Sequence, residues 1–382
     1  MDRMIEQTFT VPFQYKVCFT KNVFQKDNRL LAQLLTTDKK SKVLFVMDEG
    51  LVAAHPSLPD QVKGYAEAYK EDFTLCAAPM IVPGGEQVKN DLRYFRSIVE
   101  ATNKYGIDRH SFILAVGGGA VIDMVGFSAA IAHRGIRLIR IPTTVLAQND
   151  AGIGVKNGIN MEGKKNFLGT FAPPYAVIND ATFLTTLTDR DWRSGISEAV
   201  KVALIKDAQY FQWIETHVEA LNARDMAAMG DLIFSCAQYH LDHIAGKDPF
   251  ETGSSRPLDF GHWAAHKLEH LTGFSIRHGE AVAIGIALDA TYSHLKGWLS
   301  LAELRRIIRL IKALRFEVYV PELSGEALLE GLEEFREHLG GKLTIMLLEC
   351  IGQGREVNEM DKDLVLDAVQ RLKSYRDEII EV

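Results

Sequence analysis

The chain has 382 residues, 47% hydrophobic and 24% charged, with a formal charge of −7 and an isoelectric point near 6.0. That length accommodates about two domains with ample core for a cleft, and the charge is spread without a basic block, which argues against nucleic acid or an anionic membrane surface as partners. Cys18, Cys76, Cys236 and Cys350 lie far apart with no Cys-x-x-Cys pair, arguing against a disulfide framework or a thiolate zinc site and fitting a reducing cytoplasm. No apolar signal core opens the sequence and no apolar run approaches the ~18 residues of a spanning helix, so no targeting or membrane segment is expected.

In chain order, residues 42–47, a lysine followed by five apolar residues, read as a buried parallel strand. Asp48 ends it, where a carboxylate can hold ribose hydroxyls or serve only the turn. Pro83-Gly84-Gly85-Glu86-Gln87-Val88-Lys89 is a glycine turn with acid and base attached. A second strand, 111–116, runs into Gly117-Gly118-Gly119 and then a helical pattern carrying Asp123. Glycines there let backbone N–H groups and a helix N-terminus approach a pyrophosphate. The spelling is not Gly-x-Gly-x-x-Gly, so a plain tight turn is the alternative. Arg134, on the turn His133-Arg134-Gly135 before a third strand at 137–141, suits a phosphate or a surface ion pair. Strands alternating with amphipathic stretches predict an α/β layer.

Pro142-Thr143-Thr144, then Asn149 to Gly158, then Gly163 to Gly169 make a denser segment. Lys156, Lys164, Lys165 and Asn166 among small residues make poor core but a good phosphate cradle, because glycine admits the ligand while lysine supplies point charge. Together Asp48, Glu86, Lys89, Gly117, Gly118, Gly119, Asp123, Thr143 and Thr144 are the candidate dinucleotide-binding set. From about residue 189 helical periodicity takes over, at 191–205, 207–221 and 301–314, with one late strand expected at 343–348.

Three separated segments in this second half offer metal ligands: Glu198 in Ser-Glu-Ala-Val-Lys, His262 in Asp-Phe-Gly-His-Trp-Ala-Ala-His, and His278 in Arg-His-Gly-Glu-Ala-Val. Two imidazoles and one carboxylate on a zinc-like ion leave a coordination position open, as in catalytic sites. Lys201 follows Glu198 at i+3 and His266 follows His262 at i+4, each pair on one helix face. A surface ion pair and a core histidine pair are the bland alternatives. Asp259, three residues before His262, can orient substrate or cap the following helix.

These motifs, in this order, resemble the dehydroquinate synthase superfamily, the sugar phosphate cyclases, across residues 48–351. The resemblance implies an N-terminal α/β Rossmann-like NAD-binding domain (1–185) and an α-helical C-terminal metal- and substrate-binding domain (186–382), with NAD held between them. It implies Glu198, His262 and His278 as ligands of zinc or cobalt, Asp150, Lys156 and Lys201 as contacts to the substrate polyol, and Lys165, Asn166 and His266 as contacts to its phosphate. Arg134 would reach the phosphate site of a second copy in a homodimer. The implied reaction on a heptulose 7-phosphate is oxidation of a secondary alcohol, β-elimination of phosphate, re-reduction, ring opening and intramolecular aldol closure, with NAD regenerated each turnover.

Departures from the family pattern bear on substrate. In the dehydroquinate branch an arginine seven residues before the first histidine ligand helps hold a carboxylate; here that position is Ser255, with Arg256 next. An asparagine is replaced by Asp259, a lysine falls on Leu241, and a late Lys-Lys is replaced around Arg336-Glu337-His338. Fewer cations and one more carboxylate disfavour an acidic sugar. The stretches around Asp248-Pro249-Phe250-Glu251, Arg256-Pro257-Leu258-Asp259 and Phe335 to Gly341 resemble the C7-cyclitol branch typified by 2-epi-5-epi-valiolone synthases, which cyclise sedoheptulose 7-phosphate. A 3-dehydroquinate synthase is the near alternative. A NAD- and metal-dependent alcohol dehydrogenase is the alternative of another class, which the lysine cradle disfavours.

Overall fold

The computed structural model describes residues 3–162, 164–246, 248–250, 257–339 and 341–378. It divides into two compact units, Met1–Pro142 with Val155–Asp180, and Thr143–Gly154 with Ala181–Val382.

The first unit is built on a seven-stranded sheet: β1 (Lys16–Thr20), β2 (Ser41–Asp48), β3 (Phe73–Leu75), β4 (Met80–Val82), β5 (Phe112–Gly117), β6 (Arg137–Pro142) and β9 (Ala176–Asp180). Its order is β1-β9-β6-β5-β2-β3, β4 also pairs with β2, and every pairing is parallel. Val43 through Met47 and Phe112 through Val116 are buried on both faces, which is why the expected strands read as continuous apolar runs and not as alternation. An antiparallel hairpin, β7 (Lys156–Met161) and β8 (Lys164–Phe171), belongs to the same unit. Fully buried Arg140 on β6 ties it down, donating from Nη2 to Lys156 O (3.1 Å) and Asn157 Oδ1 (2.7 Å). Burial pushes this guanidinium's pKa down to about 10.

The second unit is a helical bundle whose continuous core runs from Val145 to Leu372, plus a hairpin of β10 (Ile345–Cys350) and β11 (Gln353–Val357). The helix Leu301–Ala313 starts at a capping box between Ser300 and Glu303 and buries Leu304, Ile307, Ile308 and Ile311. The expected helix at 191–205 is two helices, Asp189–Ser194 and Ile196–Lys206, parted at Gly195. A Cβ on Gly195 would come 2.3 Å from Leu146 N, so only glycine lets these backbones meet. The 207–221 periodicity likewise breaks at His217, between Ala208–Thr216 and Val218–Asn222.

That close approach also corrects the expected single division near residue 185. Thr143–Gly154 packs within the helical unit: Val145 joins its core, and Asn149 Nδ2 donates to Gly195 O at 2.7 Å. Thr143, Thr144 and Asp150 therefore belong to the second unit, while Lys156, Lys165 and Asn166 remain in the first. No helix among the described residues is long and apolar enough to cross a membrane.

Candidate active site

In the first unit, Asp48 is an N-cap. Its Oδ1 accepts from Gly50 N (2.8 Å) and Leu51 N (3.2 Å) and starts the helix Glu49–Ala54. Around it the backbone is stripped of side chains: a Cβ on Gly84 would lie 2.6 Å from Asp48 Oδ1, and one on Gly117 2.9 Å from Asp48 Cβ. Gly118 caps the helix Gly119–Ile131, whose N-terminus follows β5 directly, the strand-turn-helix geometry that presents N–H groups to a phosphate.

The glycine-turn and cradle residues meet in one network around buried Lys89. Lys89, 2% exposed, donates to Asp123 Oδ2 (2.9 Å) and to Asn166 Oδ1, and stands 3.7 Å from Glu86 Oε1. Asn160 closes the network by donating from Nδ2 to Glu86 Oε1 (2.9 Å) and accepting at Oδ1 from Asn166 N (2.8 Å). Burial opposes the Lys89 charge, but Asp123 and Glu86 outweigh it and hold its pKa above the ordinary value. Asn166 is thus fixed by Lys89 as well as being adjacent to Lys165. Asn160 was not singled out from sequence; a lone asparagine on a hairpin carries no signal until its partners are known. Arg134 is exposed, on successive left-handed residues, His133 (φ 51°) and Arg134 (φ 63°), followed by Gly135 (φ 119°), a tight reversal that turns its side chain outward.

In the second unit the three expected metal ligands converge, their ligand atoms all within 4.8 Å of one another. Glu198 sits in the first turns of Ile196–Lys206, while His262 and His278 each open a helix, His262–Leu271 and His278–Leu295. Close glycine contacts bring those helix starts together. A Cβ on Gly285 would lie 2.0 Å from Gly261 O, and one on Gly279 1.8 Å from Ser194 O. Gly261 is itself left-handed (φ 76°). Glu280, next in the motif, is structural: Arg190 grips its carboxylate through Nε (2.7 Å) and Nη2 (2.5 Å), and Arg277 N donates to it at 2.9 Å.

Neither oxygen of fully buried Glu198 completes a hydrogen bond of normal geometry among the described residues. Oε2 abuts the Lys201 ammonium, and Oε1 lies 3.6 Å from His278 Nε2 and 3.8 Å from His262 Nε2. A tetrahedral zinc with bonds of ~2.1 Å has ligand atoms ~3.4 Å apart, so the separations suit an ion. The far nitrogens fix both rings. His262 Nδ1 is 3.1 Å from Phe260 O and His278 Nδ1 is 3.2 Å from Glu269 Oε2. With Nδ1–H donating to those oxygens, each Nε2 lone pair faces Glu198, the arrangement of a metal-binding imidazole. The donor set therefore fits a divalent ion.

Electrostatics agree. Burial and nearby Lys201 push the His262 pKa down to about 3, keeping the ring neutral. Burial opposes ionisation of Glu198, but Lys201 and the two histidines hold its carboxyl well below the ordinary range. Burial likewise opposes the Lys201 charge, yet Glu198, Asp150 and Asp259 raise its pKa. Thus Lys201, Asp150 and Asp259, expected at the site, share its field. His266 lies beside the ligands, its ring centroid 5.6 Å from that of His262 and 6.0 Å from that of His278.

Three groups that hold the site were not found in the sequence. Glu269 is seven residues after His262 and three after His266, a helical spacing that could have flagged it. Asp289 is fully buried inside the helix His278–Leu295 and accepts from Gly261 N (3.0 Å) and Trp263 Nε1 (2.9 Å), clamping both neighbours of His262. His240 faces Asp150 from the helix Met226–Ile244, with 3.4 Å between Nε2 and Oδ1. Leu241, where the family lysine was expected, is half-buried. Glu251, Ser255 and Arg256 lie outside the described residues.

Two family models match consecutive parts of the chain: 3-dehydroquinate synthase N-terminal over residues 79–194 and 3-dehydroquinate synthase C-terminal over residues 195–336. A 3-dehydroquinate synthase of Psychrobacter cryohalolentis is 31% identical over 361 residues, covering 94% of this chain and 95% of the relative. One from Nitrosospira multiformis is 36% identical over 293 residues, 76% of this chain and 80% of the relative. Among solved structures, the 2-epi-5-epi-valiolone synthase ValA of Streptomyces hygroscopicus subsp. jinggangensis, with NAD+ and Zn2+ bound, superposes with a TM-score of 0.88 at 28% identity, covering 97% of this chain and 99% of that one. Both halves of the sequence and the whole fold converge, and the chain belongs to the 3-dehydroquinate synthase family of sugar phosphate cyclases.

Proposed function

We propose that this chain is an NAD- and metal-dependent sugar phosphate cyclase that converts a neutral-headed heptulose 7-phosphate, sedoheptulose 7-phosphate, to a C7 cyclitol with loss of phosphate. The convergence of Glu198, His262 and His278 on one point, with their far sides tied off, carries the reading of a metal-dependent enzyme. The neutral substrate is supported by Asp259, whose carboxylate contributes to the field at Lys201: a substrate carboxylate nearby would be repelled. The likeness to a 2-epi-5-epi-valiolone synthase supports the same choice.

When bound, a zinc or cobalt ion at Glu198, His262 and His278 would supply Lewis acidity, and NAD would supply reversible hydride acceptance. The chain's own residues do the rest. Asp150 and Lys201 orient the polyol, with Asp150 accepting from a hydroxyl and Lys201 donating to one. Lys156, Lys165, Asn166 and His266 compensate the leaving phosphate, and Arg134 serves a second copy in a homodimer. Asp48, Glu86, Lys89, Asp123, the Gly117 to Gly119 turn, Thr143 and Thr144 are the residues assigned to the dinucleotide. Lys89 keeps Asn166 in place through the shared network, so cofactor and phosphate residues are mechanically linked within the first unit.

A 3-dehydroquinate synthase is the second reading, favoured by the names of the sequence relatives. The deciding assay measures inorganic phosphate release with NAD and Zn2+ or Co2+ from sedoheptulose 7-phosphate and from 3-deoxy-arabino-heptulosonate 7-phosphate. Release from the neutral sugar without lasting NADH is expected. Release from the acid alone makes the chain a dehydroquinate synthase, and NADH accumulating without phosphate release makes it a dehydrogenase.

A further inference from the structure

His240 has no role in the reading above, and its setting is unlike that of an ordinary core histidine. It is 5% exposed, and its Nε2 is a buried polar atom without a hydrogen-bond partner among the described residues. That atom lies 3.4 Å from Asp150 Oδ1. A bare lone pair so close to a carboxylate oxygen would meet another acceptor, so the tautomer that suits this position carries its hydrogen on Nε2. A small reorientation of the ring or the carboxylate then completes the hydrogen bond, which removes the cost of an unmatched buried donor.

The backbone of Asp150 is already fixed. It lies in the short π-helical turn Ala147–Ala151, its carbonyl accepts from Ile153 N (2.9 Å) and Gly154 N (3.1 Å), and Asn149 beside it is pinned to Gly195. Only the side-chain torsions remain to be set. Two groups compete for the carboxylate: Lys201, whose charge Asp150 helps to stabilise, and His240. The carboxylate side chain is 27% exposed while the imidazole behind it is 6% exposed. Asp150 therefore stands between His240 and open space.

We propose that His240 is a positioning residue of the polyol site, its Nε2–H holding Asp150 Oδ1 so that Oδ2 is presented to a substrate hydroxyl and does not collapse onto the Lys201 ammonium. The ligand class is a phosphorylated polyhydroxy ketone, and in naming it the inference rests on the proposed cyclase activity. Burial lowers the His240 pKa, which favours the neutral ring that this hydrogen bond needs. The helix Met226–Ile244 presents Cys236 and His240 four residues apart on its buried face, so the imidazole comes to Asp150 on a rigid element, as positioning requires.

Two measurements test this in the full-length enzyme. First, His240→Leu should raise KM for the turned-over heptulose phosphate about tenfold, the size of one lost hydrogen bond, with kcat changed far less, and His240→Gln, which restores an N–H near the Nε2 position, should recover most of it. Metal content and NAD affinity should stay at the wild-type level in both. Second, 15N NMR of histidine-labelled enzyme should show Nε2 of His240 protonated, with a resonance that moves in Asp150→Asn. Unchanged KM in His240→Leu, a loss that His240→Gln does not repair, or a bare Nε2 indifferent to Asp150→Asn would each overturn the proposal. If His240→Leu does not fold, the NMR measurement on wild type and Asp150→Asn decides. If the wild type turns over neither heptulose, the cyclase reading fails, and the NMR result still judges the His240–Asp150 pair.

Discussion

Glu198 shows how a residue's surroundings determine its chemistry. A carboxylate with no exposure and no completed hydrogen bond among the described residues is costly unless a cation shares its site. Lys201 provides one charge, and the imidazoles of His262 and His278 leave room for a second. Replacing Glu198, His262 or His278 by alanine should abolish metal binding and lower turnover by a factor on the order of 10³ or more. Full activity in a variant shown by metal analysis to be empty would sink the site. Glu269→Gln should weaken metal affinity about 10- to 100-fold, read by competition with a chelator. Asp289 gives a pH signature. Burial raises its pKa to about 7, although Trp263 and Gly261 donate to it. Its unfolded value is about 3.9, so the native state holds the proton more tightly. The stability it contributes is complete below about pH 4 and is lost as pH rises through about 7. Asp289→Asn should therefore flatten the fall in thermal midpoint over that range relative to wild type at equal metal load. An identical slope in both proteins would show that Asp289 does not titrate there.

At the scale of elements, three helix starts must meet, and glycine makes that possible. Gly279 and Gly285 place the helix His278–Leu295 against Ser194 and Gly261 with no room for a methyl group. Gly285→Ala should cost about 1–3 kcal/mol of stability by overpacking and weaken metal binding as His262 and His278 move apart. Gly230→Ala is the control, since a Cβ there meets nothing within 4 Å inside the helix Met226–Ile244. It should gain about 0.5–1 kcal/mol. Equal effects from the two substitutions in chemical denaturation would refute the packing argument. The same logic explains which elements were legible. Strands β2, β5 and β6 announced themselves because both faces are covered and most of their residues are apolar. The breaks at Gly195 and His217 were hidden because helical periodicity continues across them. Strand β11, burial pattern eieei, lacks the apolar run by which its partner β10 was found.

For the whole molecule, the three proposed metal ligands all come from the helical unit, and among the described residues the seven-stranded sheet contributes none. A ligand bound only to the native state stabilises it by about 4 kcal/mol at a thousandfold excess over its dissociation constant. Chelation should therefore speed amide hydrogen exchange at the starts of Ile196–Lys206, His262–Leu271 and His278–Leu295 and leave β2, β5 and β6 unchanged. Uniform acceleration across both units would contradict a metal site confined to one.

The sequence by itself determined the α/β and helical halves, because covered strands and amphipathic helices impose periods of burial that residue order displays directly. It also marked Glu198, His262 and His278, since few arrangements other than a metal site call for that mixture of ligand types beside glycine. Tertiary structure alone decided the rest. Thr143–Gly154 joins the helical unit because Gly195 allows Leu146 to approach, a fact about two backbones 49 residues apart. Asp289, Asn160 and His240 acquire meaning only from partners far along the chain, because a hydrogen bond depends on distance and direction in space and leaves no period in the sequence.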